Sequence, residues 1–283
     1  MSVPSTSASP RAARDRSPAP CVRLFAEHVA VTQAEGLSYE VEDVLVPLVA
    51  LSFDYGGTRV GASDERTRVF RSDAGALEAV DRDRGAEHDA RRVIERLGAV
   101  EIACLDAVAP PDGCEADYVV RADGDTHSFC AFTERALATW ASLGWRVEVD
   151  AAYPFRVVAS EPLWYARVEP AAAPGDEPLD WFGLELGVDV DGARVDLLPV
   201  LLDMLERLDA DGGLDGLATS CRPTWALRVS ETHHVNVPLD RLRALLRVVA
   251  ELYQGDRRGL RAFPEVRAGA LVELDSAFQR AGA

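Results

Sequence analysis

Trp181-Phe182-Gly183-Leu184-Glu185-Leu186-Gly187-Val188-Asp189-Val190-Asp191-Gly192-Ala193-Arg194-Val195-Asp196-Leu197-Leu198-Pro199 is the stretch whose reading decides the fold of this 283-residue chain. Leu184, Leu186, Val188 and Val190 alternate with polar or glycine positions, the two-residue period of a strand with one buried face. Asp191-Gly192 predicts a type I′ turn, whose central residues both need φ > 0. Ala193-Arg194-Val195 then pairs back. Asp196 is placed to cap a helix, and Pro199 is tolerated in its first turn. That helix is predicted over 197–208, with Leu197, Leu198, Leu201, Leu202, Leu205 and Leu208 on its apolar face.

Outward toward the C-terminus, 209–219 is an Asp- and Gly-rich loop. A second hairpin follows, 225–229 with 233–237, and then a helix over 240–254 with Leu242, Leu245, Leu246, Val249, Leu252 and Tyr253 on one face. Residues 181–254 thus read strand, strand, helix twice over.

Toward the N-terminus, 169–180 is an acidic Pro- and Ala-rich linker, preceded by short strands at 155–158 and 164–168. The pattern predicts helices over 81–97 and 132–143, each followed by glycine, and a strand over 145–149. Residues 44–55 form an apolar, β-branched strand that Gly56-Gly57 turns back into 58–60, and 67–71 is a third strand. Residues 1–20, of Ser, Pro, Ala and Arg, read as a disordered leader. The expectation is an α+β chain of antiparallel β-hairpins packed with amphipathic helices, in two consecutive small modules, 21–168 and 181–283.

Composition narrows the chemistry. All 30 basic residues are Arg, so no Walker A lysine reaches a phosphate and no lysine amine forms a Schiff base. The net charge is −17, and residues 169–215 hold 13 acidic residues against Arg194 and Arg207. Such a surface is no nucleic-acid footprint as a whole, because phosphate neutralisation needs clustered positive charge. No apolar run reaches the ~20 residues of a membrane span and no signal peptide opens the chain, which points to the cytoplasm.

Candidate constellations reduce to structural readings. Asp189-Val190-Asp191-Gly192 fails as a calcium loop, since its first and twelfth ligands would be Gly187 and Leu198. Asp209, Asp211 and Asp215 read as a solvated loop. His233 and His234 lie in a strand and point to opposite faces, which disfavours one shared metal. Cys21, Cys104, Cys114, Cys130 and Cys221 form no CxxC pair and read as free, mostly buried thiols, and His127 near Cys130 is no nucleophile signature. The five tryptophans sit at element boundaries as core anchors, with base stacking as the lesser reading, and Arg241, Arg243 and Arg247 form a solvated helix face or a partner surface for the acidic stretch, with phosphate contact as the lesser reading. No metal, cofactor or catalytic residue is assigned.

Residues 180–199 resemble the "DWF-LELG–VDG–V-LLP" segment of bacterial SNF2-family helicases, N-terminal to their DEAD/DEAH-box-like ATPase motor. The positions that carry this signature are Trp181, Phe182, Leu184, Leu186, Gly187, Asp191, Gly192, Leu197, Leu198 and Pro199. Three shorter segments are similar in the same order: Arg82 to Glu87 ("RDR–E"), Trp140 with Gly144-Trp145-Arg146-Val147 ("W…L…GW-V"), and Val237 to Leu246 ("P–RLR-LL"). The P-loop, DExH box and arginine finger of the motor are absent here, as is the zinc-binding SWIM-type segment of many relatives. The resemblance therefore implies a non-catalytic accessory region, truncated or split from its motor, with a separately encoded SNF2 ATPase as partner and no cofactor of its own. It implies a DNA-associated complex, in which a salt titration decides whether this region touches DNA itself. The alternative is a stand-alone interaction protein whose acidic stretch engages a basic partner. A small-molecule enzyme has no motif behind it.

Overall fold

Residues 19–35 and 38–54 build the two longest strands among the described residues. The computed structural model describes residues 17–35, 38–73, 76–120, 124–158, 163–171, 181–190, 192–210, 224–253 and 262–264. Strand β1 (Ala19–Glu35) and strand β2 (Ser38–Asp54) pair antiparallel along their whole length, Ala19 opposite Asp54 and Glu35 opposite Ser38, with no bulge in the register. The predicted leader over 1–20 is thus corrected at its end, where Ala19 and Pro20 already belong to β1; residues 1–16 lie outside the described residues. No alternation announced β1, because Cys21, Val22, Leu24 and Phe25 are all buried and both faces of the strand are covered there.

Strand β3 (Arg59–Gly61) pairs with the end of β2, and β4 (Arg68–Asp73) pairs with β5 (Ala76–Asp81) as a separate two-stranded ribbon. Helix α1 (Arg84–Arg96) opens on Asp83, whose side chain accepts the Ala86 N–H at 3.0 Å. Short strands β6 (Ala99–Glu101), β7 (Val108–Ala109) and β8 (Tyr118–Val120) follow, then helix α2 (Thr126–Ser142), capped by Asp125 and begun six residues earlier than its apolar spacing suggested. Strand β9 (Arg146–Val149) runs parallel to β1. The sheet order is β6-β8-β2-β1, with β7 and β9 on the outer side of β1 and β3 on β2. Val22, Leu24, Val49, Leu51 and Phe53 share one buried face of the ribbon, and Ile94, Trp140 and Tyr118 are fully buried in the same unit.

The second unit begins with β10 (Arg156–Val157) and β11 (Leu163–Ala171), followed by β12 (Trp181–Val190) and β13 (Ala193–Asp196). Helix α3 (Leu198–Ala210), strands β14 (Thr224–Arg228) and β15 (His233–Pro238), helix α4 (Leu239–Leu252) and strand β16 (Ala262–Pro264) complete it. The doubled strand-strand-helix order expected of 181–254 is present. One sheet is β11-β12-β13 with β16 on β12, and the other is β10-β15-β14. Leu184, Leu186 and Val188 of β12, Leu201 and Leu205 of α3, and Leu242, Leu245, Leu246 and Val249 of α4 form one apolar core. The chain is α+β.

Its division differs from the expected one. The compact units are Met1–Phe155 and Arg156–Ala283, so the boundary precedes β10 rather than following residue 168. Register explains the shift: β11 pairs with β12 from Leu163 opposite Asp189 to Ala171 opposite Trp181, which ties it to the second unit. Residues 169–171 are therefore strand, and 172–180, the rest of the predicted linker, lie outside the described residues. The loop predicted from 209 is shorter, because α3 continues to Ala210; residues 211–223 also lie outside.

Candidate functional site

The signature residues converge on one hairpin and the helix that follows it. Leu184, Leu186, Leu197 and Leu198 are buried, and Phe182 packs half-buried against the same core. Val190 pairs with Ala193 across a two-residue connection, and Gly192, at φ +83°, donates its N–H to Asp189 Oδ1 at 3.0 Å. Asp189 thus serves the turn. Asp191 lies outside the described residues, as does the side chain of Trp181, whose backbone pairs with Ala171 and Pro264. Asp196 Oδ1 accepts the Leu198 N–H at 3.0 Å at the start of α3, and Pro199 is exposed in the first turn, where its missing N–H is not needed.

Gly187 is the tightest of these positions. A Cβ there would overlap the Val195 carbonyl oxygen and come within 2.7 Å of Tyr165 Oη. The Tyr165 ring lies across the glycine from its paired position on β11, and the Arg194 guanidinium stacks 5.1 Å from the ring centroid. The strand can therefore approach its neighbours on both sides only with hydrogen at this position.

The "RDR–E" segment holds a buried ion pair. Arg82 donates from Nε and Nη2 to Glu87 Oε1 and Oε2 at 2.8 and 2.9 Å, and from Nη1 to the Asp64 carbonyl at 2.5 Å. Tyr55 Oη donates to Glu87 Oε1 at 2.6 Å and accepts the Asp83 N–H at 2.9 Å. Burial, then the hydrogen bond to Glu87, pushes the Tyr55 phenol up to about 12. The cluster pins the end of β2 to the start of α1. The helix predicted over 81–97 carried no sign of this pair; the signal was that Glu87 falls in the buried stripe with Ala90 and Ile94.

The "W…GW-V" segment places Trp140, fully buried, with its ring stacked at 6.3 Å on that of Trp145. In the "P–RLR-LL" segment Leu242, Leu245 and Leu246 are buried, Arg241 lies 4.6 Å from the Trp164 ring centroid, and Arg243 pairs with Asp240 at 3.1 Å. Only Arg247 of that trio is fully exposed.

A concavity of about 980 Å³ lies on one face of the first sheet. Small side chains, Cys21, Ala50 and Ser52, line it together with Arg23, Arg146, Glu101 and Asp117. Three of its charges are paired within the unit: Arg23 with Asp150 at 3.0 Å, Arg146 with Asp54, and Glu101 with Arg91 at 2.9 Å. Asp117 accepts the Leu51 N–H at 2.7 Å, and burial raises its carboxyl above the usual range.

Of the described cysteines, Cys21 and Cys130 are buried as expected, Cys114 is half-buried and Cys104 is exposed; Cys221 lies outside the described residues. Burial pushes the Cys130 thiol up to about 12, so it carries no thiolate at neutral pH. His233 is exposed and His234 buried, on the opposite faces expected of strand neighbours. Among the described residues no group of three or more His, Cys, Asp or Glu is placed to hold a metal ion, and no helix is long and apolar enough to cross a membrane. Comparison with family models, curated proteins and solved structures gives no significant match.

Proposed function

We propose that this chain is a non-catalytic accessory region of an SNF2-type DNA-dependent ATPase, a scaffold that packs on or regulates the motor. One observation carries the reading: each segment that resembles the helicase family has a packing role at the spacing the resemblance quotes. Gly187 and Gly192 meet backbone demands, Leu184 to Leu198 fill the second core, Arg82 and Glu87 pair in the first unit, and Trp140 stacks on Trp145. Residues spent on packing and turns mark a structural region rather than a reaction centre.

The test is ATP turnover by the purified chain, with and without duplex DNA. No hydrolysis above background is expected in either condition, and DNA-stimulated turnover would sink the reading. The neighbouring open reading frame is the second check: the reading expects a P-loop ATPase core there.

One observation favours the acidic interaction protein instead. Glu185, Asp196, Asp203 and Glu206 of the acidic stretch are all exposed. An unrelated neighbouring frame, together with capture of a basic partner that high salt releases, would decide for that alternative.

A further inference from the structure

The outer edge of β2 is open beyond its first neighbours. On the side away from β1, β3 takes Ser52 to Asp54 and β8 takes Leu48 and Val49. From Tyr39 to Val46, β2 pairs only with β1 among the described residues. Hydrogen bonds at the paired end fix which backbone groups point outward. Leu51 donates its N–H to Asp117 and accepts the Ala62 N–H, and the Val49 carbonyl accepts the Asp117 N–H. Odd-numbered residues of β2 therefore turn their N–H and C=O away from β1. The register is unbroken, so the same holds for Tyr39, Val41, Asp43 and Leu45. Thr32, the partner of Val41, agrees: its N–H points away from β2 to the Ala107 carbonyl. Pro47, with no N–H to offer, closes this open edge.

The side chains along the edge form a pattern. Tyr39 and Val41, 78% and 68% exposed, share one face of the strand with Leu45 and with Asp43, which pairs with His28 at 3.3 Å, while Glu40 and Glu42, both exposed, share the other. Between Arg23 and Arg59 the sequence has six carboxylates and no Lys or Arg. Two copies of this edge would bring Glu40 and Glu42 against their own kind, which opposes self-pairing.

We propose that the β2 edge from Tyr39 to Leu45 is a docking site for an extended segment of a partner protein in which apolar residues alternate with Arg or Lys. The segment adds a strand to the sheet. Its backbone meets the four outward N–H and C=O pairs, its apolar side chains lie beside Tyr39, Val41 and Leu45, and its cations lie beside Glu40 and Glu42. The inference stands on the first unit alone and does not rest on the helicase reading.

The experiment titrates the full chain into a fluorescein-labelled nine-residue peptide of alternating Val and Arg, followed by anisotropy. A block-ordered peptide of the same composition and an alternating Val–Glu peptide serve as comparisons. The alternating Val–Arg peptide should bind at least tenfold tighter than either. Val41→Pro removes an outward N–H without touching the β1 ladder, so it should keep the circular dichroism spectrum and lose binding at least tenfold. The double variant Glu40→Lys, Glu42→Lys should shift preference to the Val–Glu peptide, and it decides the matter if Val41→Pro does not fold. Equal binding of the block-ordered peptide would overturn the proposal by showing undirected attraction to the −17 chain. Unchanged preference in the double variant, or a dimer of the chain formed through this edge, would also overturn it.

Discussion

Two long strands, β2 and β12, end up in opposite situations. β12 is closed on both edges, by β11 on one side and by β13 and β16 on the other, and its glycine lets those neighbours approach. β2 is closed at its paired end and, among the described residues, open on one edge from Tyr39 to Val46. The same face of the β1–β2 ribbon buries Val49 and Leu51 and exposes Tyr39 and Val41. Alternation marks a face as able to be covered; pairing and packing along the chain decide where it is.

The anchored end of β2 is the place to break this contrast hardest. Glu87→Ala leaves the Arg82 guanidinium, fully shielded from solvent, with only the more distant Asp64 carboxylate at 3.6 Å, and should cost the first unit about 3 kcal/mol in urea denaturation. A loss below about 1 kcal/mol would mean that the cluster does not hold β2 to α1.

Closure of β12 is tested next. Gly187→Val places atoms into the Val195 carbonyl and the Tyr165 hydroxyl and should cost about 3 kcal/mol, the upper end of overpacking in a well-filled site. An unchanged urea midpoint would show that β13 is not held this closely.

Alkali should weaken the first unit before the second. Burial raises Cys130 from 9.0 to about 12, and Tyr55 and Tyr118 from 10.0 to about 12, all in the first unit; Tyr253 in the second is raised likewise. The unfolded chain ionises first, so it holds fewer protons in this range. The contribution of these groups to stability is therefore level below about pH 9 and falls from pH 9 toward pH 12. Urea midpoints at pH 8 and pH 10.5 measure this; a midpoint that rises with pH would contradict the burial of these groups.

The smallest effect is expected on the open edge. Val41→Thr should change stability by no more than about 0.5 kcal/mol, because its side chain is exposed and, among the described residues, its outward N–H bonds no neighbouring strand. A loss above 1 kcal/mol would show that something covers this edge.

Legibility followed the same line. β12, the two-residue connection and α3 could be read because one strand face is buried and the period of two is clean. The four helices were legible from apolar spacing, with ends displaced where caps such as Asp125 lay outside the apolar stripe. β1 was missed because consecutive residues are buried on both faces, which erases the period. β5 was missed because Ala76 to Asp81 has few β-branched residues and gains its order from pairing with β4. The module boundary was misplaced because composition shifts at 169–180, whereas the pairing of β11 with β12 spans that shift. Of the site, the Gly192 turn and the leucine face were legible; the close approach at Gly187 and the Arg82–Glu87 pair were not, since five of the eight residues from Asp81 to His88 are charged and nothing in their spacing marks one as buried.

We propose that this chain serves an ATPase without being one. The most direct test adds the purified chain in increasing ratio to an isolated SNF2-type motor encoded in the same genome and follows DNA-stimulated ATP hydrolysis. The account predicts no turnover by the chain alone and a saturable change in the motor's rate at a fixed stoichiometry. Turnover by the chain alone, or a motor rate that does not change at any ratio, would contradict it.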